Sequence, residues 1–167
     1  MKVIAIDPGT TKSALCIING KTLKPIYTCI EENETLLDFI RNGIMCEEED
    51  RGCVEMLQSY GNLIGKDVLI TAVWIGRFYE TLKRKLFVEP SMIYRMEEKM
   101  HICHNSRVGD AEIRRALIDR FCTHDFRTGR GTKKDPDFFQ GFKADIWAAY
   151  AVGLTYIETK LEDAERR

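Results

Sequence analysis

Asp7, Glu55 and Asp145 are acidic residues set in apolar stretches that lie far apart in the chain. Asp7 ends the run Val3-Ile4-Ala5-Ile6, which Pro8-Gly9 stops. Glu55 is embedded in Gly52-Cys53-Val54-Glu55-Met56-Leu57. Asp145 precedes Ile146, and no further charge occurs until Glu158. Acidic side chains are almost never buried unless they meet a cation, so three of them on core elements predict a shared one. Hard carboxylate oxygens suit Mg²⁺, which takes only a few protein ligands and keeps several waters. Each residue also has a plainer reading: Asp145 as the N-cap of a helix, Glu55 paired with a buried Arg, Asp7 as the carboxylate of a phosphate site.

The elements that must position these residues can be read from periodicity. Val3 to Ile6 is a short β-branched run bounded by turn residues, which predicts a strand buried on both faces. Ser13 to Asn19 predicts a second strand, ended by the hairpin signal Asn19-Gly20, and Thr22 to Ile30 a third. Glu34 to Asn42 has Leu36, Leu37 and Ile40 at helical spacing. Glu47-Glu48-Glu49-Asp50 reads as a solvated acidic loop, and Arg51 to Leu57 as a further strand. Ser59-Tyr60-Gly61-Asn62 reads as a turn. Val68, Ala72, Ile75, Tyr79, Leu82 and Leu86 then predict a long amphipathic helix, widened by Trp74 and Phe78, whose apolar face suits a core or a dimer contact. Leu86 to Pro90 reads as a short strand, Ser91 to His104 as partly helical, Gly109 to Phe121 as a helix capped by Asp110, Thr123 to Gly141 as a loop, and Lys143 to Ala164 as the last helix. No repeat or linker interrupts residues 1–167, so a single domain is expected.

Composition narrows the class. At 44% hydrophobic and 31% charged residues, the 167-residue chain has the make-up of one soluble globular domain. No apolar run approaches about 18 residues, so no membrane span is expected, and the N-terminus reads as a strand and not as a leader. The six cysteines lack paired spacing; Cys16, Cys29 and Cys53 read as small buried hydrophobes in a reducing cytoplasm. His101, Cys103, His104, Cys122 and His124 fit no zinc pattern. The net charge of -1 neither marks nor excludes a nucleic-acid partner, because charge can be segregated on one face.

The order Ile4-Ala-Ile-Asp7-Pro-Gly, an embedded Glu55 before a long helix, and Lys143-Ala-Asp145 opening an Ala-rich helix resembles the RuvC family of Holliday junction resolvases. These belong to the ribonuclease H-like nucleases. The stretch Glu55 to Lys66 with Trp74-Ile-Gly-Arg-Phe78 is similar to phage-encoded members in particular. The resemblance spans nearly the whole chain and rests on order and spacing more than on any single motif. It implies an α/β ribonuclease H-like fold, with a central mixed five-stranded sheet, an antiparallel three-strand meander first, and helices on both faces.

The resemblance further implies that Asp7, Glu55 and Asp145 are catalytic and hold two Mg²⁺ ions, with Mn²⁺ as a substitute. Asp7 would bridge, and Glu55 and Asp145 would each complete one site. Two ions about 4 Å apart activate water and stabilise the leaving oxygen of a phosphodiester. The implied activity is structure-selective cleavage of Holliday junctions or other branched DNA in recombination and repair. The implied form is a homodimer in the cytoplasm of a bacterium or a phage-infected host. Family members carry two acidic or His ligands three residues apart on the last helix. Here the positions at that spacing from Asp145 are Ala148 and Phe142, so a fourth ligand must come from elsewhere or be missing.

Between Arg127 and Lys143 five basic residues stand against Asp135 and Asp137. Such a Gly-rich basic loop beside the third carboxylate suits a DNA backbone. Lys12, Arg130, Lys133, Lys134 and Lys143 are the candidate DNA contacts. Phe138, Phe139 and Phe142 could stack on exposed bases, though packing beneath the loop is the simpler expectation. Two other functions stay open. Asp7-Pro-Gly-Thr-Thr-Lys-Ser also looks like the first phosphate motif of the actin and sugar-kinase ATPases, but that fold needs two such domains and 167 residues are too few. A non-catalytic DNA-binding protein on the same fold is the other alternative.

Overall fold

The computed structural model describes residues 1–58 and 65–161. Its strands are β1 (Lys2–Asp7), β2 (Lys12–Asn19), β3 (Pro25–Glu32), β4 (Arg51–Met56) and β5 (Ser91–Tyr94). They form one mixed sheet in the order β3-β2-β1-β4-β5. β1, β2 and β3 are an antiparallel meander, whereas β4 and β5 run parallel to β1. The helices are α1 (Asn33–Asp38), continued by a π-helical turn at Phe39–Gly43, α2 (Lys66–Leu86), α3 (Arg95–Cys103), α4 (Asp110–Phe121) and α5 (Ile146–Tyr156), continued by a π-helical turn at Ile157–Leu161.

Each face of the sheet has its own core. Ile4, Ile6, Leu15, Ile17 and Val54 pack with Leu36 and Leu37 of α1 and Ile75, Phe78 and Leu82 of α2. On the other face Val3, Ala5, Ala14, Cys16, Ile18 and Cys53 meet Leu117 of α4, Phe139, and Tyr150 and Leu154 of α5. Burial on both sides is why β1 reads as a continuous apolar run and not an alternating one. The small residues have a purpose. A Cβ at Gly153 would lie 2.5 Å from Cδ1 of Ile18 and 2.9 Å from Cβ of Ala5. Only glycine there lets α5 lie this close to β1 and β2, which fixes the position of Asp145 at the head of the helix.

Several expectations about elements shift. Asn19-Gly20 does not make a two-residue hairpin. The turn is longer, with the Asn19 side chain accepting from Lys21 and Thr22 N–H and Leu23 left-handed, so β3 starts at Pro25. Leu86 to Pro90 is no strand: Leu86 ends α2, Phe87 is left-handed and exposed, and β5 begins beyond Pro90. The buried face of α2 is carried by Ile75, Phe78, Leu82 and Leu86, while Val68 and Ala72 are exposed. Asp50 is no solvated loop residue. It is fully buried, accepts from the N–H of Lys2 and Glu47, and pairs with Lys2 Nζ at 3.3 Å. Gly109, not Asp110, occupies the N-cap of α4, where Glu112 accepts its N–H. Lys143 to Asp145 precede α5, which starts at Ile146. The expected turn at Ser59 to Asn62, and the end of the last helix beyond Leu161, lie outside the described residues.

Candidate active site

Asp7 ends β1, and Glu55 lies one residue before the end of β4. The parallel register pairs Ala5 with Cys53 and Ile6 with Val54. Asp7 and Glu55 are the next pair along, and the alternation of side chains puts both on the face that α5 covers. Their carboxyls share a hydrogen bond. The turn after Asp7 is held by a polar relay. Ser13 Oγ accepts from Gly9 N–H at 3.1 Å and donates to Asn33 Oδ1 at 2.6 Å, while Asn33 Nδ2 donates to the Gly9 carbonyl at 3.0 Å. The end of β1 is thereby tied to the start of α1.

Asp145 occupies the N-cap position of α5, but its side chain makes no capping hydrogen bond and is exposed. The residue before it, Ala144, holds a left-handed backbone with φ 41°. Backbone strain of this kind persists only where the surrounding structure enforces it. Asp145 is close enough for its charge to act on Asp7.

A fourth carboxylate, not expected from the sequence, completes the group. Glu98 of α3 is fully buried. Its Oε2 accepts from Arg95 Nη1 at 2.6 Å, and its Oε1 has no hydrogen-bond partner. Burial first, and then the charge of Glu55, push the Glu98 carboxyl up to about 9 despite Arg95. Burial likewise raises Asp7 well above the carboxylate range, followed by the charge of Glu55, their shared hydrogen bond, and the charges of Asp145 and Glu98. Acids crowded in this way retain protons unless a cation neutralises them.

A cavity of about 390 Å³ opens over this pair, lined by Asp7, Glu55, Thr71, Ile75, Arg95 and Lys99 among others. Its charged lining is two carboxylates and two cations. The donor set fits a hard divalent ion: all oxygen and like-charged. Among the described residues no three acidic, His or Cys side chains form a ready-made ligand cluster. Asp7 and Glu55 both line the cavity, whereas Asp145 does not line it and reaches Asp7 only through its charge. The zinc-capable residues do not assemble either; His101 Nε2 instead meets Glu158 Oε2 at 2.7 Å. All six cysteines are free, with Cys16 and Cys53 buried and Cys29 partly so.

The basic loop is irregular, as expected, but it is built around two acids. Asp137 is buried and accepts from the N–H groups of Thr123, His124, Asp125 and Phe138. Burial alone would raise its carboxyl, yet these donors hold it well below the usual range. Asp125 is held low by the Thr128 hydroxyl and by the N–H groups of Thr128, Gly131 and Arg130. Beneath the loop Phe139 and Phe142 are buried against Trp147 and Tyr150, and Phe138 stacks on Phe121 at 4.7 Å. Phe139 and Phe142 are therefore core, and Phe138 is partly buried against it. Arg130, Lys133, Lys134 and Lys143 point to solvent, and Lys12 is exposed beside Glu32 at 3.3 Å.

No family model matches the chain, and no curated protein matches it in sequence. Solved structures do match in fold. "T. thermophilus RuvC in complex with Holliday junction substrate" superposes with a TM-score of 0.62 at 15% identity, over 97% of this chain and 96% of that one. A second Thermus thermophilus RuvC structure gives 0.57 at 16% identity, over 97% of each chain. Fowlpox virus resolvase, solved with Holliday junction DNA, gives 0.52 at 15% identity, over 96% of this chain and 99% of that one. The mixed sheet, its strand order and these superpositions give the chain a ribonuclease H-like α/β fold of the form seen in RuvC and poxvirus resolvase.

Proposed function

We propose that this chain is a divalent-metal-dependent nuclease that cuts branched DNA, with the Holliday junction as its substrate. The observation that carries this reading is the contact between Asp7 and Glu55 at the adjoining ends of β1 and β4, in a fold shared with two structures solved on Holliday junctions. Asp7 and Glu55 would hold the metal, with Asp145 as the third carboxylate. Divalent ions bound there lower the pKa of an attacking water and offset charge on the phosphodiester. The chain's own part is to present the oxygens, keep one side of the cavity dry with Ile75, and bring cations to the substrate. Arg130, Lys133, Lys134 and Lys143 would follow the DNA backbone, with Lys12 as an outlying contact.

Two symmetric cuts in a four-way junction call for two sites, so the active form would be a homodimer. Val68, Leu69 and Val73 leave an apolar strip on the outer side of α2 that suits a second copy. No helix among the described residues is long and apolar enough to cross a membrane, in keeping with an enzyme that meets DNA in the cytoplasm. The exposure of Asp145 favours one rival, a DNA-binding protein that does not cut.

One experiment separates the two: incubation of four-way junction and linear duplex with Mg²⁺, using wild type and Asp7→Asn. The nuclease reading expects junction-selective nicking by wild type and none by Asp7→Asn. Junction binding without nicking by either protein would leave the non-catalytic reading standing.

A further inference from the structure

The cavity over Asp7 and Glu55 presents a difficulty for a polyanion, because its most prominent groups are carboxylates. A phosphate can approach only if cations line the same space, and α3 supplies them. Arg95, its first residue, and Lys99, one turn later, share one helix face and both line the cavity. Arg95 follows directly from β5, whose Ile93 pairs with Glu55 in the parallel register.

The surroundings of Arg95 are asymmetric. Its Nη1 donates to Glu98, which is fully buried, and its Nη2 donates to Asp110, whose side chain is 89% exposed. The inner bond fixes the guanidinium, since breaking it would leave a buried oxygen of Glu98 without a donor. The outer bond is a solvated ion pair of the kind that contributes little and exchanges readily. A planar guanidinium carries five N–H donors in a fork that matches two oxygens of a phosphate as well as it matches a carboxylate. Asp110 therefore presents to Arg95, in water, an anionic oxygen of the kind a DNA phosphate would bring.

We propose that Arg95 is a substrate-positioning residue that grips a DNA phosphate beside Asp7 and Glu55, with Glu98 holding it from the core and Asp110 occupying the phosphate's place until DNA arrives. This rests on the nuclease reading and adds to it a residue pair and an exchange. Asp110 competes with DNA for Arg95, so the acidic residue tunes affinity through the basic one.

The test is junction binding by fluorescence anisotropy across a salt series, in Asp7→Asn protein so that no strand is cut. Arg95→Gln is expected to weaken binding about tenfold and to lower the salt slope by about one unit, with Arg95→Lys falling between. Asp110→Asn should tighten binding severalfold when Arg95 is present and do nothing in Arg95→Gln. Because Arg95→Gln leaves Glu98 without its partner, Arg95→Gln/Glu98→Gln serves as the matched, folded variant, checked by circular dichroism. Binding and salt slope unchanged in both Arg95 variants would overturn the assignment. So would an Asp110→Asn effect that persists without Arg95. If the Asp7→Asn protein binds no DNA at all, the nuclease reading itself falls and takes the assignment with it.

Discussion

Asp7 and Glu55 stand side by side on parallel neighbours β1 and β4, one step beyond the paired Ile6 and Val54, with a hydrogen bond between their carboxyls. Two acids so placed cannot both ionise cheaply without a cation. The strand register alone creates this situation. Any loss of pairing between β1 and β4 would separate them.

The first prediction concerns pH. Asp7 and Glu98 both bind protons more tightly in the folded chain than in an unfolded one, Glu98 with a value of about 9. Their contribution to stability is therefore complete below the ordinary carboxylate range of about 4 and is lost as pH rises toward about 9. In EDTA the Tm should fall by several degrees between about pH 5 and about pH 9. Glu98→Gln should flatten that fall. Mg²⁺ should raise Tm most at the alkaline end, because binding expels protons. A metal-free Tm that rises over this range would contradict the burial of these acids.

The second concerns the seat of Asp145. Gly153→Val places a side chain where a Cβ alone would crowd Ile18 and Ala5. Overpacking of this kind costs about 1–3 kcal/mol, and the displaced α5 should carry Asp145 away with it. Urea denaturation should show the loss of stability, and cleavage should drop by more than the unfolded fraction explains. Gly76→Ala is the control: no atom lies within 4 Å of its added Cβ, and it sits in an exposed stretch of α2. It should raise stability by about 0.5–1 kcal/mol.

The third concerns the basic loop. Asp137→Asn turns an acceptor of several backbone N–H groups into a side chain that also offers donors. The expected cost is about 1–3 kcal/mol, with faster hydrogen exchange in the loop and weaker DNA binding although no basic residue has changed. Because the Asp137 carboxyl is held low, its contribution persists above about pH 4 and is lost only on strong acidification.

The fourth concerns the aromatic layer. Phe139 is fully buried and touches Phe121, Phe142, Trp147 and Tyr150. Phe139→Ala should cost about 3–5 kcal/mol, seen as a lowered denaturant midpoint. Were these rings base-stacking groups instead, the substitution would weaken DNA binding and leave stability intact.

The parts of the site that could be read from sequence are those where a charge interrupts an apolar run. Asp7 and Glu55 stand out because β1 and β4 are buried on both faces, so every other residue near them is apolar. The meander and β4 were equally readable in outline, whereas β5, Ser91–Tyr94, fell in a stretch that reads as partly helical. Glu98 was hidden for the opposite reason. Arg95-Met-Glu-Glu-Lys99 has the make-up of a surface helix, and only the packing of α3 on α4 and α5 buries one of its two glutamates. Asp50 and Asp137 were hidden in the same way: each looks solvated in its polar stretch, but backbone N–H groups gather around it. The strand misplaced at Leu86 to Pro90 shows the ambiguity of a short apolar run, which here is a helix end and a left-handed cap followed by proline.

A crystal grown with Mn²⁺ decides whether Asp7 and Glu55 form a cation site. Anomalous density is expected in contact with both carboxylates, lost in Asp7→Asn crystals. Saturating Mn²⁺ that binds elsewhere or not at all, with Asp7 and Glu55 still hydrogen-bonded to each other, would contradict it.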